Sequence, residues 1–330
     1  MISKAFVLAA GLGTRLRPLT ETLPKPLVPV GLKPLITFAF DHLIADLGVA
    51  EFVANTHHLP GSYDVAFPNA AYRDRPIRFR HEPTLLETGG GIRNVLDLLG
   101  TGTTVVYNGD ILTDLPLGPA AEYHRAAGNE VTLVLRSSGS PRHVSWDPAT
   151  SRLLDIRNKL GTGVPAGYGF SGVYFIEPAF VERIPLGQVV SVIPSFLKMI
   201  RQGERIGGFL ADEGDWRDLG SRGEYLRVHR DLHAQTLAAG TAAPTSPLFP
   251  RYGAPDPGWR NWVHPQAEIA PDARVLGASV VGAGARVGAG AVVEDSILWP
   301  GAEIASNARL ANCIVRTSQR AGGDARDRDF

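Results

Sequence analysis

The residues best suited to chemistry lie between 8 and 30, in LAAGLGTRLRPLTETLPKPLVPV. Two close glycines, Gly11 and Gly13, let backbone N–H groups approach a phosphate or a base. Arg15 offers a planar fork of donors suited to phosphate. Lys25 stands between Pro24 and Pro26. Proline fixes its own φ and restricts the residue before it, so this backbone is stiff and can aim the ammonium into a site. The stretch contains no His, Cys or Ser and a single carboxylate, Glu21. It is equipped to hold a polyanion rather than to supply a nucleophile or base. The dinucleotide fingerprint fails, because Leu16 stands where its third glycine belongs, and the Gly-Lys-Ser/Thr of a P-loop is missing.

Further candidates lie downstream. VVYNGDIL ends a buried strand with Asn108-Gly109-Asp110, and an aspartate at a strand's carboxyl end can reach a divalent metal. DWRDLGSRGEY carries Asp218, whose plainer reading is an acid ahead of a helix. LLETGGGIRNVL sets Glu87 and Thr88 before Gly89, Gly90 and Gly91, which are expected to open a helix. Lys159 in DIRNKLG and Gly172 in YGFSGVYF follow or occupy strands. His57 and His58 in NTHHLP have no second His or Cys cluster near them, so a turn explains them better than a metal.

These residues need a scaffold, and the pattern supplies one. Residues 1 to about 235 alternate strand-like runs (Lys4 to Ala10, Glu51 to Asn55, Ile77 to His81, Thr104 to Tyr107, Val131 to Arg136, Phe170 to Ile176) with helical spacing at Ile36 to Leu47, Ile92 to Leu99, Val190 to Ile200 and Ser221 to Ala239. That predicts an α/β fold, a Rossmann-like, mostly parallel sheet with helices on both faces, binding ligands beyond the strands' carboxyl ends. The expected division is a catalytic domain at 1–239, a Pro/Gly-rich linker at 240–262, a repeat at 263–315 and a disordered tail at 316–330. In the repeat, Val263, Ile269, Val275, Val281, Val287 and Val293 recur every six residues, then Leu298, Ile304 and Leu310. Such a period suits a parallel β-helix with triangular coils, here about three, of the left-handed type.

The string from Leu8 to Val30 resembles the signature of the sugar-1-phosphate nucleotidyltransferases, G-x-G-T-R-L-x-P-L-T followed by P-K-P-L-x-P-V, almost without gaps. The resemblance implies a nucleotide loop of Ala10, Gly11, Gly13, Thr14 and Arg15, with Gly89 and Gly90 near the base. It implies sugar-phosphate contacts from Lys25, Glu87, Lys159 and Gly172, and a Mg²⁺ held by Asp110 and Asp218. Arg15, Lys25 and Asp110 would carry catalysis. Asn158 stands where many relatives place an acid, and Ser221 where they place Thr. A sugar 1-phosphate is itself a nucleophile, so such an enzyme need only hold two polyanions together and offset their repulsion. The segment Glu87 to Ile92 looks most like uridylyltransferases acting on N-acetylmuramate 1-phosphate and is also similar to guanylyltransferases for mannose or heptose 1-phosphates.

Composition fits this picture. With 33 basic and 33 acidic residues, the chain has no general footprint for nucleic acid or an anionic membrane. No apolar run approaches the ~18 residues of a membrane span. The lone Cys313 excludes an intrachain disulfide and suits a cytoplasmic location. The repeat is expected to support a homo-oligomer. A fused acyltransferase would have only His264 as an obvious base, and a non-catalytic regulatory subunit should have lost Arg15, Lys25, Asp110 and Asp218.

Overall fold

The computed structural model describes residues 2–139, 141–239 and 262–330. The connection expected at 240–262 lies, but for Trp262, outside the described residues. Contacts divide the chain into two units. One comprises Met1–Leu12, Pro24–Pro26 and Ile36–Asp218, the other Gly13–Leu23, Leu27–Leu35 and Leu219–Phe330.

The first unit is built on a large sheet. Its strands are β1 (Lys4–Leu8), β2 (Glu51–Thr56), β3 (Arg75–His81), β4 (Thr104–Asn108), β6 (Val131–Arg136), β7 (Val144–Asp147), β8 (Arg152–Ile156), β9 (Gly169–Ile176) and β10 (Ile206–Leu210). A short pair, β5 (Ile111–Thr113) and β11 (Trp216–Asp218), lies apart from it. Helices α1 (Ile36–Leu47), α2 (Glu87–Asn94), α3 (Leu117–Ala127) and α4 (Ile193–Gln202) connect and cover the strands. The order is β7-β8-β10-β6-β9-β4-β1-β2-β3, closed at the β3 edge by Ala71–Tyr72. β1 runs parallel to β2 and β4, β2 to β3, and β6 to β10, while β9 and β8 run antiparallel to their neighbours. The central strands are apolar on both faces because both faces are covered. Phe6, Val53, Val106, Leu133, Tyr174 and Phe196 meet in one core. Each such side chain contributes about 1.5–3 kcal/mol by leaving water.

Two helices depart from their expected bounds. The pattern at Ile92 to Leu99 is two helices, Glu87–Asn94 and Leu96–Leu99, and the first begins ahead of the glycines. Gly89 and Gly90 lie in the first turn of α2, after Glu87 and Thr88, with Gly91 next. The backbone of 188–191 packs on them: a Cβ on Gly90 would stand 2.3 Å from the carbonyl of Gln188, and one on Gly89 2.8 Å from that of Val190. The contact also holds Val190 out of the helix expected there, which starts at Ile193.

The second unit joins α5 (Arg222–Ala239) and the segments flanking Lys25 to a left-handed parallel β-helix. One face stacks Glu268–Ile269, Arg286–Val287, Glu303–Ile304 and Arg320–Ala321 in parallel; a second stacks Arg274–Leu276, Val292–Glu294, Arg309–Ala311 and Asp324–Arg326. The third stacks Val280–Val281, Ile297–Leu298 and Ile314–Val315. Two faces thus carry four rungs where about three coils were expected. The expected disordered tail at 316–330 is corrected too: it forms the last coil, and Asp329 bridges Ile314. Ala321 and Ala325 fill the inward positions while Arg320, Asp324 and Arg326 point out. The six-residue step continues from Val315 to Ala321 but reads as polar sequence because alanine replaces the branched residue.

The expected contiguous domain at 1–239 is also divided differently. The segment after Pro26 packs on α5, where Tyr225 Oη donates to the carbonyl of Pro29 (2.5 Å) and the amide of Gly31 donates to His229 Nε2 (3.0 Å). These bonds tie it to the unit that carries the repeat.

Candidate active site

Lys25 is the centre of the site in the first unit. Its short turn, Lys25–Leu27, is fixed by the flanking prolines, and the side chain is buried with 5% exposure. Nζ donates to Asp110 Oδ2 at 2.8 Å and to Asp218 Oδ1 at 3.2 Å. The two carboxylates are each about one-third exposed. Their convergence follows from strand pairing, since β5 and β11 run antiparallel with Ile111 opposite Asp218. Asp110 immediately precedes Ile111, so both acids stand at the same end of the pair. A buried ammonium between two half-open carboxylates leaves oxygen faces toward solvent, where phosphates or a cation can approach.

Several side chains that sequence reasoning missed hold this geometry. Asp114, fully buried, accepts the amide of Asp215 at 2.6 Å, and Thr113 Oγ1 donates to the carbonyl of Asp215 at 2.6 Å. Trp216 Nε1 donates to the carbonyl of Ser171 at 2.7 Å, anchoring β11 to β9. Nothing in the spacing of DIL-TD and EGDW announces these pairings.

Gly172 lies in an irregular stretch of β9 with φ +87°. A Cβ there would meet Asn108 Nδ2 at 2.7 Å, so the residue approaching it is the asparagine two positions before Asp110. Lys159 is exposed in the turn after β8, beyond Arg157 and Asn158, which both have positive φ. Buried Asp155 closes that turn by accepting the amides of Ile156 and Leu160. Glu87 is exposed, with a left-handed φ of 58°. Such a backbone costs of order 1 kcal/mol for a residue with a Cβ.

The amides of Gly89 and Gly90 both donate to the carbonyl of Val190, at 2.8 and 2.9 Å. Both N–H groups are therefore committed to the backbone of 188–191. Beneath them runs a buried chain that the sequence did not reveal. Asn55 Oδ1 accepts the amide of Ala9 (2.7 Å), Asn55 Nδ2 donates to Glu82 Oε1 (2.8 Å), and Glu82 Oε2 accepts the amide of Leu86 (2.9 Å). It ties the end of β1 to the start of α2 through the carboxyl ends of β2 and β3. His57 uses Nδ1 on the carbonyl of Glu82 (2.7 Å), consistent with a turn.

Of the nucleotide-loop candidates, Ala10 is buried and Gly11 exposed, with nothing within 4 Å of a Cβ there. Gly13, Thr14 and Arg15 belong to the second unit. Gly13 has φ +61° and precedes a short turn, Thr14–Leu16, on which Arg15 is exposed. Leu16, Leu19 and Thr20 are buried beneath it.

Two carboxylates converging at the carboxyl side of a parallel sheet suit a hard cation that takes few protein oxygens and completes its shell with phosphate and water. Among the described residues no cluster of three or more His, Cys, Asp or Glu side chains could hold a metal. Asp110 and Asp218 are the two carboxylates that would fit such a cation, Mg²⁺ among them.

A model of the family described as nucleotidyl transferase matches residues 4–235. The chain belongs to this family. Its reaction class is nucleotidyl transfer to a sugar 1-phosphate. It is 31% identical over 315 residues to the mannose-1-phosphate guanylyltransferase of Mycobacterium tuberculosis, spanning 94% of this chain and 82% of that protein. It is 35% identical over 238 residues to the N-acetylmuramate alpha-1-phosphate uridylyltransferase of Neisseria meningitidis, spanning 71% of this chain and 98% of that protein. A solved UDP-glucose pyrophosphorylase from Acinetobacter baumanii shares the fold, with a TM-score of 0.60 at 17% identity over 72% of this chain and 94% of its own. No helix among the described residues is long and apolar enough to cross a membrane.

Proposed function

We propose that the enzyme transfers GMP from GTP to a mannose-type hexose 1-phosphate, releasing pyrophosphate. Lys25, held between Asp110 and Asp218, carries the reading of the site. An oxygen of the sugar 1-phosphate attacks the α-phosphorus in line. The new O–P bond forms as the bond from the α-phosphorus to the bridging oxygen breaks, and that electron pair leaves with pyrophosphate. Lys25 offsets charge on the phosphates that meet there, and Arg15 binds the triphosphate through its planar fork. Gly11 leaves its backbone open to close approach. Asp110 and Asp218 would hold Mg²⁺, which screens phosphate charge when bound. Lys159, Glu87 and Gly172 are assigned to the sugar phosphate, Glu87 through its exposed carboxylate.

The guanylyl assignment rests on the length of the match. The mycobacterial enzyme aligns with 94% of this chain, beyond the family-matched segment, whereas the meningococcal uridylyltransferase aligns with 71%. UTP with N-acetylmuramate 1-phosphate, the pair that the segment Glu87 to Ile92 favours, is the second reading, supported by the 35% identity. The protein acts in the cytoplasm and assembles as a homo-oligomer through the repeat. Pyrophosphate release with Mg²⁺, across GTP, UTP, dTTP, ATP and CTP against several sugar 1-phosphates, tests the assignment. Release with GTP and mannose 1-phosphate supports it. Release only with UTP and N-acetylmuramate 1-phosphate replaces it with the second reading, and no release from folded protein with any pair overturns catalysis.

A further inference from the structure

The loop Gly13–Leu23 and the β-helix belong to the same unit, although about 240 residues of sequence separate them. The loop's own bonds are short-range. Leu16 N donates to the carbonyl of Gly13 (2.9 Å), Thr20 Oγ1 to the same oxygen (2.9 Å), and Glu21 N to the carbonyl of Pro18 (3.1 Å). Another bond reaches it from far along the chain. Arg316, which opens the last coil, donates Nη1 to the carbonyl of Pro18 at 3.1 Å. Its Nη1 also lies 3.9 Å from Glu21 Oε2.

The guanidinium is aimed before it reaches the loop. Its Nε donates to the carbonyl of Phe330 at 2.9 Å, and the backbone amide of Arg316 donates to the same oxygen at 3.1 Å. The side chain is only 17% exposed. A planar fork fixed at one nitrogen fixes the direction of the others, which a lysine ammonium on a flexible stem does not do as well. The grip falls on Pro18, three residues after Arg15. The β-helix thus holds, through one oriented cation, the backbone that carries the candidate triphosphate arginine.

We propose that the last coil of the β-helix positions the nucleotide loop, with Arg316 as the positioning residue through which it acts. The proposal rests on the reading of Gly13 to Arg15 as the triphosphate loop. It gives the repeat a task in each subunit that needs neither acyl transfer nor assembly. If the grip is released, the loop samples other arrangements, and apparent nucleotide affinity falls by the fraction of time it spends in the competent one.

The test compares Arg316→Ala and Arg316→Lys with Arg222→Ala in the full chain. Arg222 serves as the control because it ties α5 to the same coil, at Asp329 and Asn312, without touching the loop. Arg316→Ala is expected to raise KM for the nucleoside triphosphate about fivefold, with KM for the sugar 1-phosphate and kcat little changed. Arg316→Lys should recover part of the loss, and Arg222→Ala should show no such split. Amide exchange at Leu16 and Glu21 should quicken in Arg316→Ala alone, a readout that needs no substrate. Equal rises in both KM values, or a match between Arg316→Ala and Arg222→Ala, would overturn the positioning role. So would faster exchange with an unchanged KM for nucleotide. If the wild-type protein turns over no substrate pair, the catalytic reading fails on its own, and unchanged exchange in Arg316→Ala would separately remove the grip.

Discussion

Two aspartates and a lysine far apart in sequence form one cluster, and each is replaceable without emptying the core. Asp110→Asn keeps the shape and removes the charge. Because the side chain is about one-third exposed, the melting temperature should stay within a few degrees of wild type, whereas kcat falls by at least about a hundredfold. An unchanged rate would remove Asp110 from the site. The glycines can be separated in the same way. Gly11→Ala meets nothing within 4 Å, so stability should hold while nucleotide KM rises. Gly90→Ala drives a methyl group to within 2.3 Å of a backbone carbonyl, which should cost about 1–3 kcal/mol in urea unfolding. If Gly90→Ala unfolds like wild type, the packing of 188–191 on α2 is looser than described. Lys25, Asp110 and Asp218 were legible in sequence because each sits in a short motif with its chemistry on display. Asn55, Glu82 and Asp114 were not, because a buried polar residue is recognised by its partners, and key ones lie far away in sequence; Asp155 was missed because its partners are only nearby backbone amides.

The strands and most helices of the first unit were readable from their periodicity, since a sheet covered on both faces leaves long apolar runs. The reading slipped where alanine or glycine took the inward places, as in the last coil and α2. Helix α5 carries a feature that no pattern displays. His229 is fully buried, with Nδ1 donating to the carbonyl of Tyr225 (2.8 Å), so Nε2 is left to accept the amide of Gly31 (3.0 Å). Burial, the largest cause, pulls its pKa down to about 4, only partly opposed by the bond to Tyr225. Between that value and the ordinary one near 6.5, the unfolded chain holds a proton that the folded chain does not. Stability therefore rises with pH across this window and is lost as pH falls from about 6.5 to 4, by roughly 3 kcal/mol in total. His229→Gln can still accept the Gly31 amide and does not titrate. Urea midpoints measured from pH 4 to 7 should show a flatter acid limb in that variant, and an identical limb would assign the loss to other groups.

The repeat reads in sequence as an appendage that could be cut away at residue 239, leaving the front of the chain folded. The structure argues otherwise. Trp299, on the third face of the β-helix, is 1% exposed, and its Nε1 donates to Tyr225 Oη at 3.1 Å. That hydroxyl in turn donates to the carbonyl of Pro29, four residues beyond Lys25. Removing residues 240–330 strips Trp299 from Tyr225 and Trp262 from His229, and takes away the grip of Arg316 on Pro18. Unburying one tryptophan-sized surface already costs about 3–5 kcal/mol, a loss that lowers a melting temperature by roughly 5 °C in a chain of this size. The truncated protein should therefore melt at least that far below the full chain, or aggregate on expression. A truncated protein that melts like the full chain and keeps its nucleotide KM would show that α5 covers its own apolar face. The meningococcal relative makes this a sharp test, because it aligns over 98% of its length with only 71% of this chain. A fall in stability here would therefore belong to the contacts this chain makes with its own β-helix, at Tyr225 on α5 and at Pro18. Substituting Tyr225 by Phe in the full chain isolates the polar part of that dependence. It deletes the hydroxyl linking Trp299 to Pro29 while keeping the ring, and should cost about 1–3 kcal/mol, less than the truncation.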